Sequence, residues 1–348
     1  TMRVVVTGSS GAVGRRACVR LAEEGYEVLG LDRRSSVAPP GVEIRTVDLA
    51  VTDLRAVLAG VDSVVHLAAG VRAHREDPSG ESLALAQRLL VAADQADVRH
   101  LVVRSSATVY GAWTDNPIPL TEDAPVRPCA EFPFAVHRAQ LEDLTDKWAG
   151  GQPARRATLL RPVVTVAEEH TGGLARTLVA AMAIRTHETD PLGQFLHADD
   201  LAEAVVCAVR EKVDGPLNVA PDGWIGARDM AELGGSAHRI RLPSRLAAVV
   251  IRFLWRSGLS SAPPGVVPYT VHPWVVSNDR LRELGWEPRH SNEEAYVVSH
   301  GPTAMDRLDA RARQRISLAS AGGLILCLVA LGIWLVRRSR GRRSVIAL

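Results

Sequence analysis

Arg3-Val-Val-Val-Thr7 runs straight into Gly8-Ser-Ser-Gly11-Ala-Val-Gly14, an apolar stretch followed by glycines at every third position. A helical pattern from Val13 to Glu24 comes next, so the segment describes a strand that feeds a helix through a tight loop. In such a loop Gly8 permits the turn, Gly11 lets the backbone approach a pyrophosphate, and Gly14 allows close helix packing. The helix start supplies N–H donors to phosphate, which places Ser10, Ala12 and Val13 in the same cradle. Asp32 closes the next apolar run, Glu27 to Leu31, 18 residues beyond Gly14. A carboxylate there binds the ribose hydroxyls of a dinucleotide and repels a 2′-phosphate, so NAD is the expected cofactor. Arg33 and Arg34 follow at once and leave NADP open.

Outward from this unit, strand and helix patterns keep alternating. Strand-like runs end near Asp48, span Ser63 to Leu67 and His100 to Arg104, and recur at Thr158 to Leu160 and Leu217 to Ala220. Helical patterns fall around Asp53 to Ala59, Ser82 to Gln95, Leu141 to Trp148, Leu174 to Ile184 and Asp199 to Arg210. That order predicts an α/β fold, a Rossmann-type doubly wound parallel sheet. The dinucleotide-binding domain is expected over residues 1–220, with part of a substrate lobe at about 161–195. Residues 221–306 are less regular and richer in Pro and Trp, the pattern of a small C-terminal substrate lobe.

Charge is unevenly placed. Residues 1–306 carry 32 basic and 38 acidic side chains, whereas 307–348 carry nine Arg against Asp309 alone. The folded part is therefore net acidic with few aromatics, which argues against nucleic acid as a partner. Within the tail, Ile316 to Val336 is an uncharged run of 21 residues with Arg on both flanks. At 1.5 Å per residue such a helix matches a hydrocarbon core of roughly 30 Å, so a C-terminal transmembrane helix is expected. A buried or dimer-forming helix is the alternative. Four cysteines without metal spacing indicate neither a zinc site nor a disulfide framework, and no metal is expected. The chain enters its first strand without a charged leader and apolar h-region, so the main domain is expected on the cytoplasmic side of the cell membrane. The flanking Arg counts express no orientation preference of their own.

The chain resembles the extended short-chain dehydrogenase/reductase superfamily, and within it the NAD-dependent epimerase/dehydratase family, whose members mostly act on nucleotide sugars. The likeness spans roughly residues 2–300 and rests on TGSSGAVG at 7–14, Asp48-Leu49, His66-Leu67-Ala68-Ala69 and SSATVYG at 105–111. Leu160-Arg161-Pro162, Phe195 to Leu201 and Leu284 to Pro288 extend it. The resemblance implies that Asp48 and Leu49 border the adenine and that Leu67, Ala68 and Ala69 lie under the cofactor. It also implies a hydroxyl at Ser106 that bonds the reacting oxygen, and a homodimer built on a helix pair. Where the family places its proton-transferring Tyr and its Lys, this chain has Phe134 and Arg138. Phe has no titratable hydroxyl, whereas Arg138 can still donate to ribose hydroxyls as a fixed cation. A tyrosine elsewhere is the competing reading of that segment.

Other expected ligand groups are altered too: Val164 stands where relatives carry Asn, and Gly193-Gln194 where an Arg often precedes the Phe-x-His segment. A common UDP- or dTDP-sugar is therefore not the expected ligand. Two functions follow. The first is a membrane-anchored, NAD-binding family member with impaired acid/base machinery that senses a ligand or scaffolds. The second is an active epimerase, dehydratase or reductase on a nucleotide-sugar or lipid-linked sugar-like substrate, with Ser106, a water or His137 replacing Tyr. Arg245 to Arg256, apolar on most of its circumference, allows a membrane-surface helix, a cleft lid or a lobe-packing helix.

Overall fold

A computed structural model of the chain describes residues 1–68, 78–168, 178, 185–186, 192–233, 241–242, 249, 251–253, 255–256 and 263–299. Residues 1–299 form one compact unit. Its elements run β1 (Arg3–Thr7), α1 (Ala12–Glu23), β2 (Glu27–Asp32), β3 (Val42–Thr46), α2 (Leu54–Leu58), β4 (Ser63–His66), α3 (Pro78–Gln95) and β5 (His100–Arg104). After a 3₁₀ turn at Ala107–Tyr110 come α4 (Pro133–Gly150), β6 (Arg156–Pro162), β7 (Val164–Val166), β8 (Arg185–Thr186), β9 (Phe195–His197) and α5 (Ala198–Glu211). The described part closes with β10 (Gly215–Val219), α6 (Ala227–Leu233), β11 (Arg241–Leu242), α7 (Asp279–Glu283) and α8 (Asn292–Ser299).

Seven strands form one sheet in the order β10-β6-β5-β4-β1-β2-β3, with every neighbouring pair parallel. Strand residues alternate faces, and so do the cores. On one side Val4, Val6, Val65 and Val102 meet Ala17, Cys18 and Leu21 of α1 and Leu201 and Val205 of α5. On the other, Val5, Leu29, Leu31, Val64, Leu101 and Val103 pack with Leu54 and Leu58 of α2, Leu89 and Ala93 of α3, and Leu141 and Trp148 of α4. Helices on both faces explain why these strands are apolar runs of β-branched residues rather than alternating ones. The chain leaves β1 toward β2 and β3, then returns to β4 and continues to β5, so the strand order reverses between β1 and β4. That reversal opens a crevice at the carboxyl ends of the strands, the place where ligands bind in such sheets.

Two parallel two-stranded pairs, β7 with β9 and β8 with β11, lie outside the main sheet. The expected doubly wound sheet is present, and its elements differ from the sequence reading mainly at their ends. Helix α4 starts at Pro133, eight residues before Leu141, because Pro at the first turn suits a helix start. The expected helix at Leu174 to Ile184 falls outside the described residues except for Leu178. Within Arg245 to Arg256, Ile251 packs on Val267 and Val271 and Arg252 pairs with Glu131, which favours lobe packing over a free membrane face. Among the described residues no helix is long and apolar enough to cross a membrane. The run at 316–336 lies outside the described residues, as does Ala69.

A buried polar network ties α4 to the sheet. Arg161 of β6 donates to both carboxylate oxygens of Glu142 on α4, at 3.0 and 2.7 Å, and to the Tyr110 hydroxyl at 2.8 Å. The Tyr110 hydroxyl in turn donates to the Asn218 side chain at 2.8 Å. Both charges are almost wholly enclosed, so pairing offsets the cost of removing them from water. The network fixes the middle of α4 and the 3₁₀ turn that follows β5.

Candidate active site

At the end of β1, Gly8 adopts φ +76° and donates its N–H to the Leu31 carbonyl at 2.8 Å. A Cβ there would lie 2.8 Å from the Ala68 nitrogen, and one on Gly14 only 2.1 Å from the Gly8 oxygen. Both positions thus require glycine for the loop to close against β4 and α1. Gly11 caps α1 with no side-chain hydrogen bond, which leaves first-turn N–H groups, those of Ala12 and Val13 among them, for an anion. The Asp32 carboxylate accepts from the Ser10 N–H at 3.1 Å and the Arg34 N–H at 3.0 Å. Burial alone would raise its pKa, but these donors and the Arg34 charge hold the carboxyl below the usual range. It is a fixed anion with lone pairs left for ribose hydroxyls.

Asp48 and Leu49 arrive at the same edge. Val47 N–H donates to the Asp32 carbonyl at 2.8 Å, Asp48 accepts from Ala50 N–H at 2.9 Å, and Leu49 is buried with its carbonyl taken by Arg88 at 3.3 Å. On the other side of the loop, Leu67 donates to the Thr7 carbonyl at 3.2 Å, so the end of β4 and the glycine loop form one floor. His66 beneath it is buried, bonds the Thr7 hydroxyl at 2.8 Å, and is pushed down to about 4 by burial and then by the Arg138 charge. It stays neutral at working pH. Arg33 is exposed beside Asp32.

At the end of β5 the buried Ser106 hydroxyl accepts from Thr108 N–H at 3.2 Å and from Thr108 Oγ1 at 3.0 Å. Both bonds use its lone pairs, so its own hydrogen remains to donate. Arg138 reaches this end of β5, donating to the Arg104 carbonyl at 2.9 Å, and its guanidinium lies 5.1 Å from the Phe134 ring centre. Phe134 and Arg138 are one helical turn apart on the same face of α4. The fold therefore places Phe134 and Arg138 on one face of α4, with Arg138 reaching the strand end that leads to Ser106. His137 is half-buried on the same helix.

None of the four tyrosines substitutes for Phe134. The hydroxyls of Tyr110 and Tyr296 donate to Asn218 and to the Met230 carbonyl, and Tyr26 lies by Glu24 and Glu211. Tyr269, distant in sequence, does come close: its ring packs edge-on against Phe132 and its hydroxyl donates to the Thr108 carbonyl at 2.7 Å. Yet it is fully buried, and burial raises its pKa, so its proton is held by the backbone.

The residues at the expected substrate-side positions make internal contacts. Val164 is buried in register with Phe195. Gln194 donates to the carbonyls of Gly223 and Val276 at 2.8 and 3.0 Å and accepts from Val276 N–H at 2.8 Å, so its amide is consumed within the lobe. A Cβ on Gly193 would meet Phe195 at 2.8 Å and Met230 sulfur at 3.0 Å. His197, Asp199 and His290 also converge, but their polar atoms serve Glu168, Arg16 and Asp200 and anchor the start of α5.

One residue at this site was not legible as a site residue in the sequence. Arg104, the last residue of β5, stands two positions before Ser106. Burial lowers its pKa to about 10, and lowers that of Arg138 to about 10 with Arg104 as the second cause. Arg138 also hydrogen-bonds the Arg104 carbonyl, so two cations stand at the strand end that leads to Ser106. The available signal was parity: on an extended strand, residues two apart share a face.

A Gly-lined helix start, a ribose-facing carboxylate and a serine at the crevice of a parallel sheet define a dinucleotide-binding α/β protein. The chain belongs to the NAD dependent epimerase/dehydratase family, whose profile matches residues 4–220, and its cofactor is NAD. It is 31% identical over 312 residues to a 3-diazoavenalumate denitrifying reductase of Streptomyces sp., across 83% of this chain and 97% of that protein. It is 28% identical to a UDP-glucose 4-epimerase of Bacillus subtilis (strain 168), across 84% of this chain and 94% of that one. A UDP-glucose 4-epimerase of Thermus thermophilus in complex with NAD superposes with a TM-score of 0.65 at 24% identity, covering 87% of this chain and 100% of that one. MoeE5 in complex with UDP-glucuronic acid and NAD gives 0.64 at 24%, covering 85% and 97%. At those identities the superpositions speak to the fold.

Proposed function

We propose that this chain is an NAD-dependent hydride-transfer protein of the reductase kind, acting on a ligand that needs no proton from the position of Phe134. The observation behind this reading is that Phe134 and Arg138 stand together at the end of β5 beside Ser106, with the hydroxyls of Tyr110, Tyr269 and Tyr296 engaged elsewhere. Bound NAD supplies hydride acceptance or donation. The chain's own residues do the rest. The glycine loop and Asp32 hold the adenosine half, Arg138 donates to ribose hydroxyls where the family has Lys, and Ser106 offers its hydrogen to a ligand oxygen. Phe134 presents only a ring. Epimerisation and dehydration require a side chain that takes and returns a proton, a contribution of about 10²–10⁴-fold. Reduction of an already electron-poor acceptor does not require it. The likeness to a reductase over 97% of that protein's length supports the same choice.

Purified chain with NADH deuterated at C4 tests this. Deuterium should pass to reducible ligands, while UDP-glucose and UDP-galactose should not interconvert. Efficient interconversion by the wild-type chain overturns the reading. A second reading, an NAD-holding ligand sensor or scaffold without turnover, is favoured by the internally bonded Gln194 and the closed position at Gly193. It predicts tight NAD with no deuterium transfer to any ligand.

We also propose that the run at 316–336 anchors the protein in the cell membrane with residues 1–306 on the cytoplasmic side. Burying a 21-residue uncharged segment far exceeds what flanking Arg contacts to anionic lipid supply, about 1 kcal/mol each. The full chain should stay with membranes through high-salt and alkaline washing. Release by salt alone would indicate a surface helix instead.

A further inference from the structure

We propose that Arg104 and Arg138 form an anion subsite beside Ser106 that takes the carboxylate of an organic acid. This deepens the reductase reading and rests on NAD occupying the crevice between β1 and β4. Arg104 ends β5 with its backbone extended, and Ser106, at φ −163° and ψ 145°, continues the same extended path. Their side chains therefore leave on one face, the face of the reacting serine. No carboxylate or carbonyl among the described residues accepts a hydrogen bond from the Arg104 guanidinium. Among the described residues Arg138 hydrogen-bonds a carbonyl, and the carboxylate that favours its charge, Glu142, already grips Arg161 through both oxygens. Neutral His66 gives no compensation.

Two half-buried cations at one strand end, with no carboxylate bonded to either among the described residues, favour an anionic ligand. The cofactor's own pyrophosphate does not reach. Its cradle is at the end of β1, and β4 lies between β1 and β5, so two strand spacings, about 10 Å, separate them. Guanidinium forks match the planar two-oxygen geometry of a carboxylate. Phe134, packed under Arg138, adds an apolar wall for the body of the acid. Small aryl and alkyl carboxylates therefore fit, with the charged end at Arg104 and the reacting centre toward Ser106.

Calorimetry on the NAD-loaded full chain tests the subsite with benzoate, cinnamate and glutarate, each against its amide. At least one acid should bind about tenfold or more tighter than its amide. Arg104→Ala should abolish that preference while NAD affinity stays within about twofold, and Arg104→Lys should keep part of it. The ligand-free Arg104→Met variant should melt higher than wild type, because it removes a half-buried charge that no described carboxylate pairs. Acids and amides binding alike across the panel, or a lower melting temperature for Arg104→Met, would overturn the subsite. Parallel loss of NAD and acid in Arg104→Ala would make Arg104 a cofactor contact and overturn it as well. Failure of wild-type chain to bind NAD is a distinct result that removes the cofactor placement beneath both readings.

Discussion

Replacing Asp32 with Ala tests the cofactor assignment most directly. The carboxylate accepts from the N–H groups of Ser10 and Arg34 and sits below its ordinary pKa because of them. Those bonds orient it before any ligand arrives, so a ribose hydroxyl meets a fixed acceptor. One hydrogen bond to a charged group contributes about 1.5–3 kcal/mol, which converts to about 10–150-fold in affinity. We expect Asp32→Ala to weaken NAD by that factor. NADP should lose far less or gain, since the same substitution removes the repulsion on a 2′-phosphate and leaves Arg33 and Arg34 in place. Calorimetry with both dinucleotides reads the two numbers. The depressed pKa adds a pH signature: wild-type NAD affinity should be flat between pH 8 and about pH 5, because Asp32 remains ionised. Equal weakening of NAD and NADP would refute the reasoning, as it would show that Asp32 supports the loop and does not touch the ribose.

Gly14→Ala should abolish dinucleotide binding and lower the melting temperature, although Ala is ordinarily favoured in helices by about 1 kcal/mol, because its Cβ would lie 2.1 Å from the Gly8 oxygen; thermal melts with and without NAD check both. Glu142→Gln should destabilise by about 3–5 kcal/mol, since it leaves Arg161 buried without its counter-charge, and urea unfolding measures it. Stability should also fall on mild acidification. His66 and His100 are pushed down to about 4 by burial, so between about pH 6.5 and 4 the unfolded chain binds protons that the folded one refuses. Each then costs about 1.4 kcal/mol per pH unit within that window and nothing above it, and denaturation midpoints from pH 8 to 5 should show the loss. His100→Gln should flatten it.

The cofactor half was legible because its constraints are local. A glycine at Gly8 or Gly14 and a carboxylate at a strand end announce themselves within thirty residues, and the alternating apolar runs determine which strands are covered on both faces. The reacting half depends on what meets across long separations. Tyr269 lies more than a hundred residues from Phe134, yet its ring reaches Phe132 and its hydroxyl the Thr108 carbonyl. Gln194 reads as a displaced ligand group until its amide is seen closing on Val276. Arg104 reads as one more residue of an Arg-rich chain, and only the absence of a partner in the described fold marks it out.

The substitutions around Ser106 are therefore best understood together. Loss of the tyrosine alone would leave a weakened epimerase site. Here the same end of β5 carries cations at Arg104 and Arg138, with the Phe134 ring beside Arg138. A carboxylate arriving at two half-buried cations meets complementary charge, which a decayed site without such cations would not offer. In the lobe, Gly193 and Gln194 are committed to internal packing and hydrogen bonds. Both observations fit the proposed site, in which a compact anion is held at the hydride-exchanging end of the crevice and a polar sugar diphosphate finds no free lobe amide at Gln194.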